Sequence, residues 1–249
     1  MSEDVARSTD PEARAAPARS RHWPAAFAAG VIATALSWGA GEAALDFFPQ
    51  KQINPLAGTI DMALYNRVVV KNAALAYGLQ GAILGLSLGL AGAAIRRSPG
   101  HAVQAGLTGL LAGGAVGAAA SFGLFTAFYA IVHANSPDIL PSLMAHGGVW
   151  ALIGACGGAA FGLGVGGHGR VARAAVGGLI GAALGAVVYE FAGGILLPLD
   201  QTGEPQATSG LARLLACALV NVGAALGAAI VPAARRGLTG AVGAHESVF

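Results

Sequence analysis

Six long runs of apolar and small residues, separated by short polar stretches, divide the chain. Each run has about 20 residues or more, the length that an α-helix needs to cross a hydrocarbon core of about 30 Å. The pattern therefore predicts an all-α polytopic membrane bundle of six transmembrane helices. The predicted spans are 24–45, 72–95, 102–132, 142–166, 171–197 and 210–231.

The composition supports a membrane protein and excludes the main alternatives. Hydrophobic residues make up 55% of the 249 positions and charged residues only 10%, whereas soluble domains carry about 25% charged residues. A soluble protein of this size could not cover its surface with so few charges. The 39 glycines follow no collagen period, and the apolar content excludes disorder over most of the chain. The few aromatic residues and the scattered basic ones argue against nucleic-acid binding.

Basic residues are unequally shared between the two ends of the predicted bundle, and this predicts its orientation. Most lie in the N-terminal tail or in the turns after the second, fourth and sixth spans. The positive-inside rule then places both termini in the cytoplasm, and we expect the cell inner membrane as the location. A cleaved signal peptide is the alternative for the first span, although the stretch before it is long and acidic. The expected domains are a disordered cytoplasmic tail (1–22), a six-helix transmembrane domain (23–236) and a cytoplasmic C-terminal tail (237–249).

Glycines recur at every fourth position in five of the spans. Because residues i and i+4 lie on one face of a helix, this spacing predicts glycine-lined helix faces. Helices in lipid associate through the close approach of small residues, since lipid offers no hydrophobic driving force. We therefore expect glycine-zipper packing through Gly81, Gly85, Gly89, Gly109, Gly113, Gly117, Gly154, Gly158, Gly162, Gly177, Gly181, Gly185, Gly223 and Gly227.

Spans two and three resemble spans four and five, which suggests a duplicated helical hairpin. The stretch from Tyr77 to Gly117 aligns with the stretch from His146 to Gly185 at a shift of about 68 or 69 residues. The alternative is that the alignment reflects composition alone, because any two helices rich in glycine and alanine align. Two such copies would share one topology, unlike the inverted repeats of many transporters.

Ionisable residues inside the predicted spans are the main functional candidates, because each costs about 2.5–3.5 kcal/mol on insertion scales. Glu190 lies about 12 Å from the outer end of its span, and Arg213 lies about one turn into the next span. Two interpretations remain open. Glu190 is a charge in a transport pathway, or it forms a structural ion pair with Arg213 that locks the two helices together.

Other polar residues near the outer ends of the spans add weaker candidates. Glu42 and Asp46 lie four residues apart, either as interfacial charges that snorkel or as an acidic mouth that attracts cations. Asn221 near the bilayer centre and Gln80 are expected to form interhelical hydrogen bonds. The histidines have no metal-ligand spacing within a helix, so we expect neither a metal nor a cofactor.

Three function classes follow. The first is a structural or accessory component of a membrane complex, with lipid, further copies of the chain or other membrane proteins as partners. The second is a small channel or transporter for an ion or small solute, using Glu190, Arg213 and Asn221. The third is an intramembrane hydrolase, since residues 85–89 match G-x-S-x-G. That motif lies in mid-helix, and Ser87 and His146 differ in depth, so we expect no enzyme activity.

Overall fold

The computed structural model of the protein describes residues 22–49, 62–131 and 139–243. These residues form six long helices and no strand. All six helices are long and apolar enough to cross a membrane. The prediction of an all-α, multi-pass membrane protein is confirmed. The helices are α1 (His22–Ala44), α2 (Met62–Arg96), α3 (Pro99–Ile131), α4 (Ile139–Val165), α5 (His168–Leu196) and α6 (Gly210–Gly243).

Two helices extend well beyond the apolar runs that predicted them. Helix α2 begins at Met62 rather than at residue 72, and α6 continues to Gly243, past residue 231. Asn66, Arg67 and Lys71 of α2 are polar, so the apolar run starts only after them, but residues 62–71 contain no glycine or proline to break the helix. Hydropathy marks where a helix enters lipid and not where its backbone hydrogen bonds begin. The predicted N-terminal tail lies, except for His22, outside the described residues.

The helices pack around a centre formed by α2 and α4. Helix α3 packs against both of these, α1 packs against α2 and α6, and α5 packs against α4 and α6. We call the end of the bundle where α1, α3 and α5 finish the mouth end. The opposite end carries Arg96, Arg97 and Arg170, and we call it the basic end. The centre is filled by large buried side chains, namely Leu84, Leu88, Phe125, Trp150, Ile153 and Phe161.

The predicted glycines all lie where one helix touches another. A methyl group built on Gly85 would overlap the backbone of Gly109 across the α2–α3 interface, and one on Gly181 would overlap Gly223 across the α5–α6 interface. Such backbone contact supplies dispersion attraction that bulkier residues would prevent. Gly81, Gly89, Gly113 and Gly117 extend the α2–α3 contact, Gly154, Gly158 and Gly162 face α5, and Gly177, Gly185 and Gly227 belong to the α5–α6 contact.

The hairpins α2–α3 and α4–α5 share one packing register, as a duplication predicts. Two backbone contacts of the first hairpin recur in the second between residues numbered 69 higher. The helix-ending residues Arg97 (φ 58°) and Gly166 (φ 86°) are separated by the same number, and both adopt the left-handed conformation that closes a helix. The matched contacts are Gly85–Gly109 with Gly154–Gly178, and Gly89–Ala105 with Gly158–Ala174.

Candidate functional site

Glu190 is bound by a histidine in the mouth-end half of the bundle. It lies six residues before the end of α5, about 9 Å along the helix, and only 6% of its surface is exposed. His146 of α4 is 1% exposed, and its Nδ1 lies 2.7 Å from Glu190 Oε1. Ser142, one turn earlier on α4, donates a hydrogen bond of 3.0 Å to the same oxygen. Two side chains of α4 therefore hold one carboxyl group of α5.

The short contact between His146 and Glu190 requires a proton. An imidazole nitrogen and a carboxyl oxygen approach to 2.7 Å only when a hydrogen lies between them. That hydrogen belongs either to the imidazole or to the carboxyl group. The pair can therefore hold this hydrogen in two arrangements, on the imidazole or on the carboxyl group.

Aromatic rings enclose the His146 imidazole. Trp150 stacks on it with ring centroids 4.9 Å apart and an interplanar angle of 15°. Phe125 of α3 and Tyr189 of α5 meet the ring edge-on at 5.3 and 6.3 Å. Such apolar surroundings strengthen the hydrogen bond to Glu190, because the low local dielectric screens it weakly.

Arg213 does not pair with Glu190, contrary to the ion pair considered from the sequence. Its Nε and Nη2 bind the two carboxylate oxygens of Glu42 at 2.7 and 2.8 Å. Its Nη1 donates to the carbonyl oxygens of Ala207 and Thr208 at 2.6 and 3.0 Å. The physical reason is that α1 packs against α6, so Glu42 lies beside Arg213, while His146 and Ser142 satisfy Glu190 from the other side.

A third polar cluster lies deeper in the bundle. Asn221 accepts a hydrogen bond from Gln80 Nε2 at 3.1 Å and donates one to Ser37 Oγ at 3.0 Å. The Ser37 hydroxyl in turn donates to the carbonyl oxygen of Ala33 at 2.6 Å. These bonds join α2, α6 and α1, as expected for amide side chains in lipid. Asp46 is exposed beyond the end of α1 and belongs to none of these clusters.

A small cavity links the three clusters. It is lined by Glu42 and Arg213 at its partly exposed end and by His146 and Trp150 at its buried end, and Gln80 also contributes. Its volume is about 50 Å³. This space is large enough for water molecules or a small solute.

The α5–α6 loop closes the mouth end over this cavity. Pro205 is fully buried, and its carbonyl oxygen accepts a hydrogen bond of 2.7 Å from the hydroxyl group of Tyr77. The hydroxyl group of Tyr129 donates to Glu204 at 2.7 Å. Ala207 of the same loop lines the cavity and binds Arg213. The loop is thus anchored to α2, α3 and α6 and forms part of the site.

Sequence analysis missed His146 as the partner of Glu190. From the sequence, the histidines were considered only as metal ligands with a regular spacing within one helix. Among the described residues, no group of three or more His, Cys, Asp or Glu side chains could hold a metal ion. The available signal was Ser142 and His146 at positions i and i+4, which places a hydroxyl group and an imidazole on one face of α4. That face could not be matched to Glu190 without the rotation of both helices.

No family model, curated protein or solved structure matches this chain. The case for its function therefore depends on the chemistry of the site itself. The fold is that of a multi-pass integral membrane protein, with six candidate spans among the described residues.

Proposed function

We propose that this protein transports a small solute across the membrane, with the His146–Glu190 pair holding a proton that takes part in the cycle. The observation that carries the proposal is a buried acid–imidazole pair at the wall of a cavity within a membrane-spanning bundle. Ionisable groups at such depth are costly and mark ion and proton pathways more often than they stabilise a fold.

The groups around the cavity fit a binding site better than a purely structural core. A core built only for packing would fill this space with apolar side chains, as the basic-end half does with Leu84, Leu88 and Phe161. Instead, the cavity wall contains His146, Gln80 and Arg213. Polar groups that converge on a small pocket are typical of solute sites.

Transport needs a second conformation that opens toward the basic end, where Leu84, Ile153 and Phe161 close the centre in this one. Backbone-to-backbone contacts such as Gly154–Gly178 give α4 and α5 smooth facing surfaces. Small sliding movements of packed helices are an established way to change access to a site. We propose sliding between α4 and α5, the two helices that hold the acid–imidazole pair.

A hydrolase is disfavoured by the geometry of the same cluster. A nucleophilic serine needs the histidine between itself and the acid, with one ring nitrogen for each. Here Ser142 Oγ and Glu190 Oε1 both lie beside the same nitrogen, His146 Nδ1, at 3.3 and 2.7 Å. Ser142 donates to the carboxyl group directly and is therefore placed as a positioning residue for Glu190.

The test is a flux assay in vesicles reconstituted with the full chain and loaded with a pH-sensitive dye. Solutes are added outside, and proton movement is recorded for wild type, Glu190→Gln and the matched control Asp46→Asn. Asp46 is an exposed acid, so its substitution removes the same charge without touching the pair. We expect Glu190→Gln to abolish solute-driven proton movement and Asp46→Asn to leave it unchanged. Equal fluxes in all three proteins would refute the proposed role of the pair.

A structural or accessory role is the second candidate, and the continuous glycine contacts favour it because they build a tightly packed bundle. Under that role no solute in the screen would move protons, and Glu190→Gln would only lower the unfolding temperature. The same vesicles and a thermal unfolding scan of the detergent-solubilised protein therefore separate the two candidates.

A further inference from the structure

A second cavity lies at the basic end, on the opposite side of the bundle from the site described above. It is formed by the last residues of α2, the turn after α4 and the first turns of α3 and α5, and its volume is about 150 Å³. Its lining includes Arg96, His101, Gln104, Gly166 and Gly167. A single water molecule needs about 10–15 Å³ of such space, so the cavity has room for a group with the four oxygen atoms of a phosphate. We call it the basic-end cavity.

Two guanidinium groups meet at the wall of this cavity. A methyl group built on Gly166 would overlap the guanidinium group of Arg96. Arg170 Nη1 donates a hydrogen bond of 3.3 Å to the carbonyl oxygen of the same glycine. Arg96 is exposed and forms no hydrogen bond or ion pair with any residue in the described part of the chain. Two like charges therefore lie close together, and one of them has all its donors available to a ligand.

The acids that could neutralise these arginines lie at the other end of the bundle. All the aspartates and glutamates of the described residues are in the mouth-end half, namely Glu42, Asp46, Glu190, Asp200 and Glu204. The positive-inside rule accounts for arginines in the turns at one end, but it requires no cavity between them. A cavity surrounded by charge of one sign attracts a ligand of the opposite sign. The charge distribution therefore favours an anion in the basic-end cavity.

Other groups in the lining also suit an anion. Gly167 lies directly before α5 and has no side chain to cap the first N–H groups of that helix. The N-terminus of a helix carries a partial positive charge that favours phosphate groups. Gln104 is exposed and adds a side-chain amide to the lining. No carboxylate of the described residues lines the cavity.

The basic-end cavity lies where the apolar helices end. Arg96 is the last residue of the candidate span in α2, and Gly166 follows the candidate span in α4. Lipid headgroups occupy this level, because they flank the hydrocarbon core. On α3, Leu107 and Leu111 follow Gln104 at positions i+3 and i+7 of one helix face, and their side chains are 54% and 67% exposed. An apolar surface therefore continues from the cavity toward the middle of the bilayer.

From the uncompensated arginines, the cavity between them and the exposed leucines beside it, we infer that the basic-end cavity binds the phosphate group of an anionic phospholipid. An acyl chain of this lipid lies along Leu107 and Leu111 of α3. Basic pockets between membrane-spanning helices are typical sites for such headgroups. A free phosphate ion would use the arginines but not the leucines, and the experiment below separates the two ligands. The inference does not depend on the proposed transport function, because the mouth-end cavity contributes no group to this site.

Native mass spectrometry of the full chain in detergent tests the site, because it counts the lipids bound to each protein. Phosphatidylglycerol is added in increasing amounts to wild type, Arg96→Gln and the matched control Arg97→Gln. Both arginines are exposed at the end of α2, so both variants are expected to fold, but of the two only Arg96 lines the cavity. We expect one tightly bound phosphatidylglycerol for each wild-type chain.

The two variants should differ in their affinity for this lipid. Arg96→Gln should weaken binding about tenfold, the usual effect of losing a hydrogen bond to a charged group. Arg97→Gln should weaken it about twofold or less, because an exposed charge outside the site contributes little. Equal weakening in both variants would overturn the inference, since it would indicate diffuse attraction between arginines and anionic lipid and not a site.

Competing ligands in the same experiment separate a lipid from a soluble anion. Phosphatidylcholine has the same acyl chains but no net charge, and inorganic phosphate has the charge but no chains. We expect neither to displace phosphatidylglycerol from wild type at equal concentration. Displacement by inorganic phosphate would assign the cavity to a soluble anion, and displacement by phosphatidylcholine would show that charge does not select the ligand. Either result would overturn the assignment to an anionic phospholipid.

Discussion

The two hairpins α2–α3 and α4–α5 have the same packing register but differ at the mouth end. In the first, glycine contacts continue to Gly81–Gly113, and Gly117 touches the backbone of Tyr77. In the second, Trp150 stands 69 positions after Gly81, His146 after Tyr77, and Glu190 after Ser121. The first hairpin is therefore closed at this end by glycine contacts, whereas the equivalent positions of the second hairpin hold a tryptophan and an acid–imidazole pair. One packing register is therefore compatible with two different sets of side chains at the mouth end.

The largest expected effect comes from filling a glycine contact that both hairpins share. Gly85→Ala places a methyl group against the backbone of Gly109, which cannot give way without separating α2 from α3. We expect a loss of about 1–3 kcal/mol or more in the free energy of unfolding, as for other overpacked cores. Thermal unfolding of the detergent-solubilised protein measures it.

The equivalent substitution Gly154→Ala tests whether the hairpins are alike. Its methyl group would meet Gly178 and the side chain of Ala182, so we expect a similar loss. Gly39→Ala is the control, because a methyl group there would find no atom within 4 Å in the described part of the protein. If Gly154→Ala leaves the stability unchanged while Gly85→Ala lowers it, the matched contacts do not contribute equally to the free energy of unfolding in the two hairpins.

The next largest effect concerns the His146–Glu190 pair at the mouth end of the second hairpin. A double-mutant cycle with His146→Ala and Glu190→Ala should give a coupling energy of about 2 kcal/mol, since one buried hydrogen bond to a charged group is lost with either partner. Unfolding in detergent provides the four stabilities. A coupling energy near zero would mean that the two side chains are in contact without stabilising each other. The mouth ends of the two hairpins would then differ in their side chains but not in the stability that this contact provides.

The sequence was sufficient to predict six apolar helices long enough to cross a membrane, and insufficient for the partner of Glu190. Apolar run length gives each span, and four-residue spacing places Gly81, Gly85 and Gly89 on one face of α2. Arg213 was the expected partner of Glu190 because the two residues lie at a similar depth in neighbouring helices. Residue numbers give the depth of a side chain along its helix but not the direction in which it points. Choosing His146 instead requires the rotation of α4 and α5 and the knowledge that Glu42 already binds Arg213.

A smaller effect is expected at the Glu42–Arg213 pair, which lies outside both hairpins and holds α1 to α6. The side chains are 29% and 18% exposed, so solvent screens their attraction. Arg213→Lys removes the two-pronged geometry and the bonds to the α5–α6 loop, and we expect about 1 kcal/mol of destabilisation in thermal unfolding. A loss as large as that from Gly85→Ala would place the main stabilisation of the mouth end in this pair and not in the hairpins.

The smallest expected effect concerns Ser121 and Glu190, which stand at equivalent positions in the two hairpins. Ser121 is fully buried, and its hydroxyl group has no hydrogen-bond partner among residues 22–49, 62–131 and 139–243. Removing an unsatisfied buried hydroxyl group costs little, so Ser121→Ala should leave the unfolding temperature unchanged or slightly raised. Ser142→Ala should lower stability by about 1 kcal/mol, because that hydroxyl group donates to Glu190. A clear loss from Ser121→Ala would show that the first hairpin holds a bound polar group of its own, such as a buried water, and both copies would then carry a polar site at the mouth end.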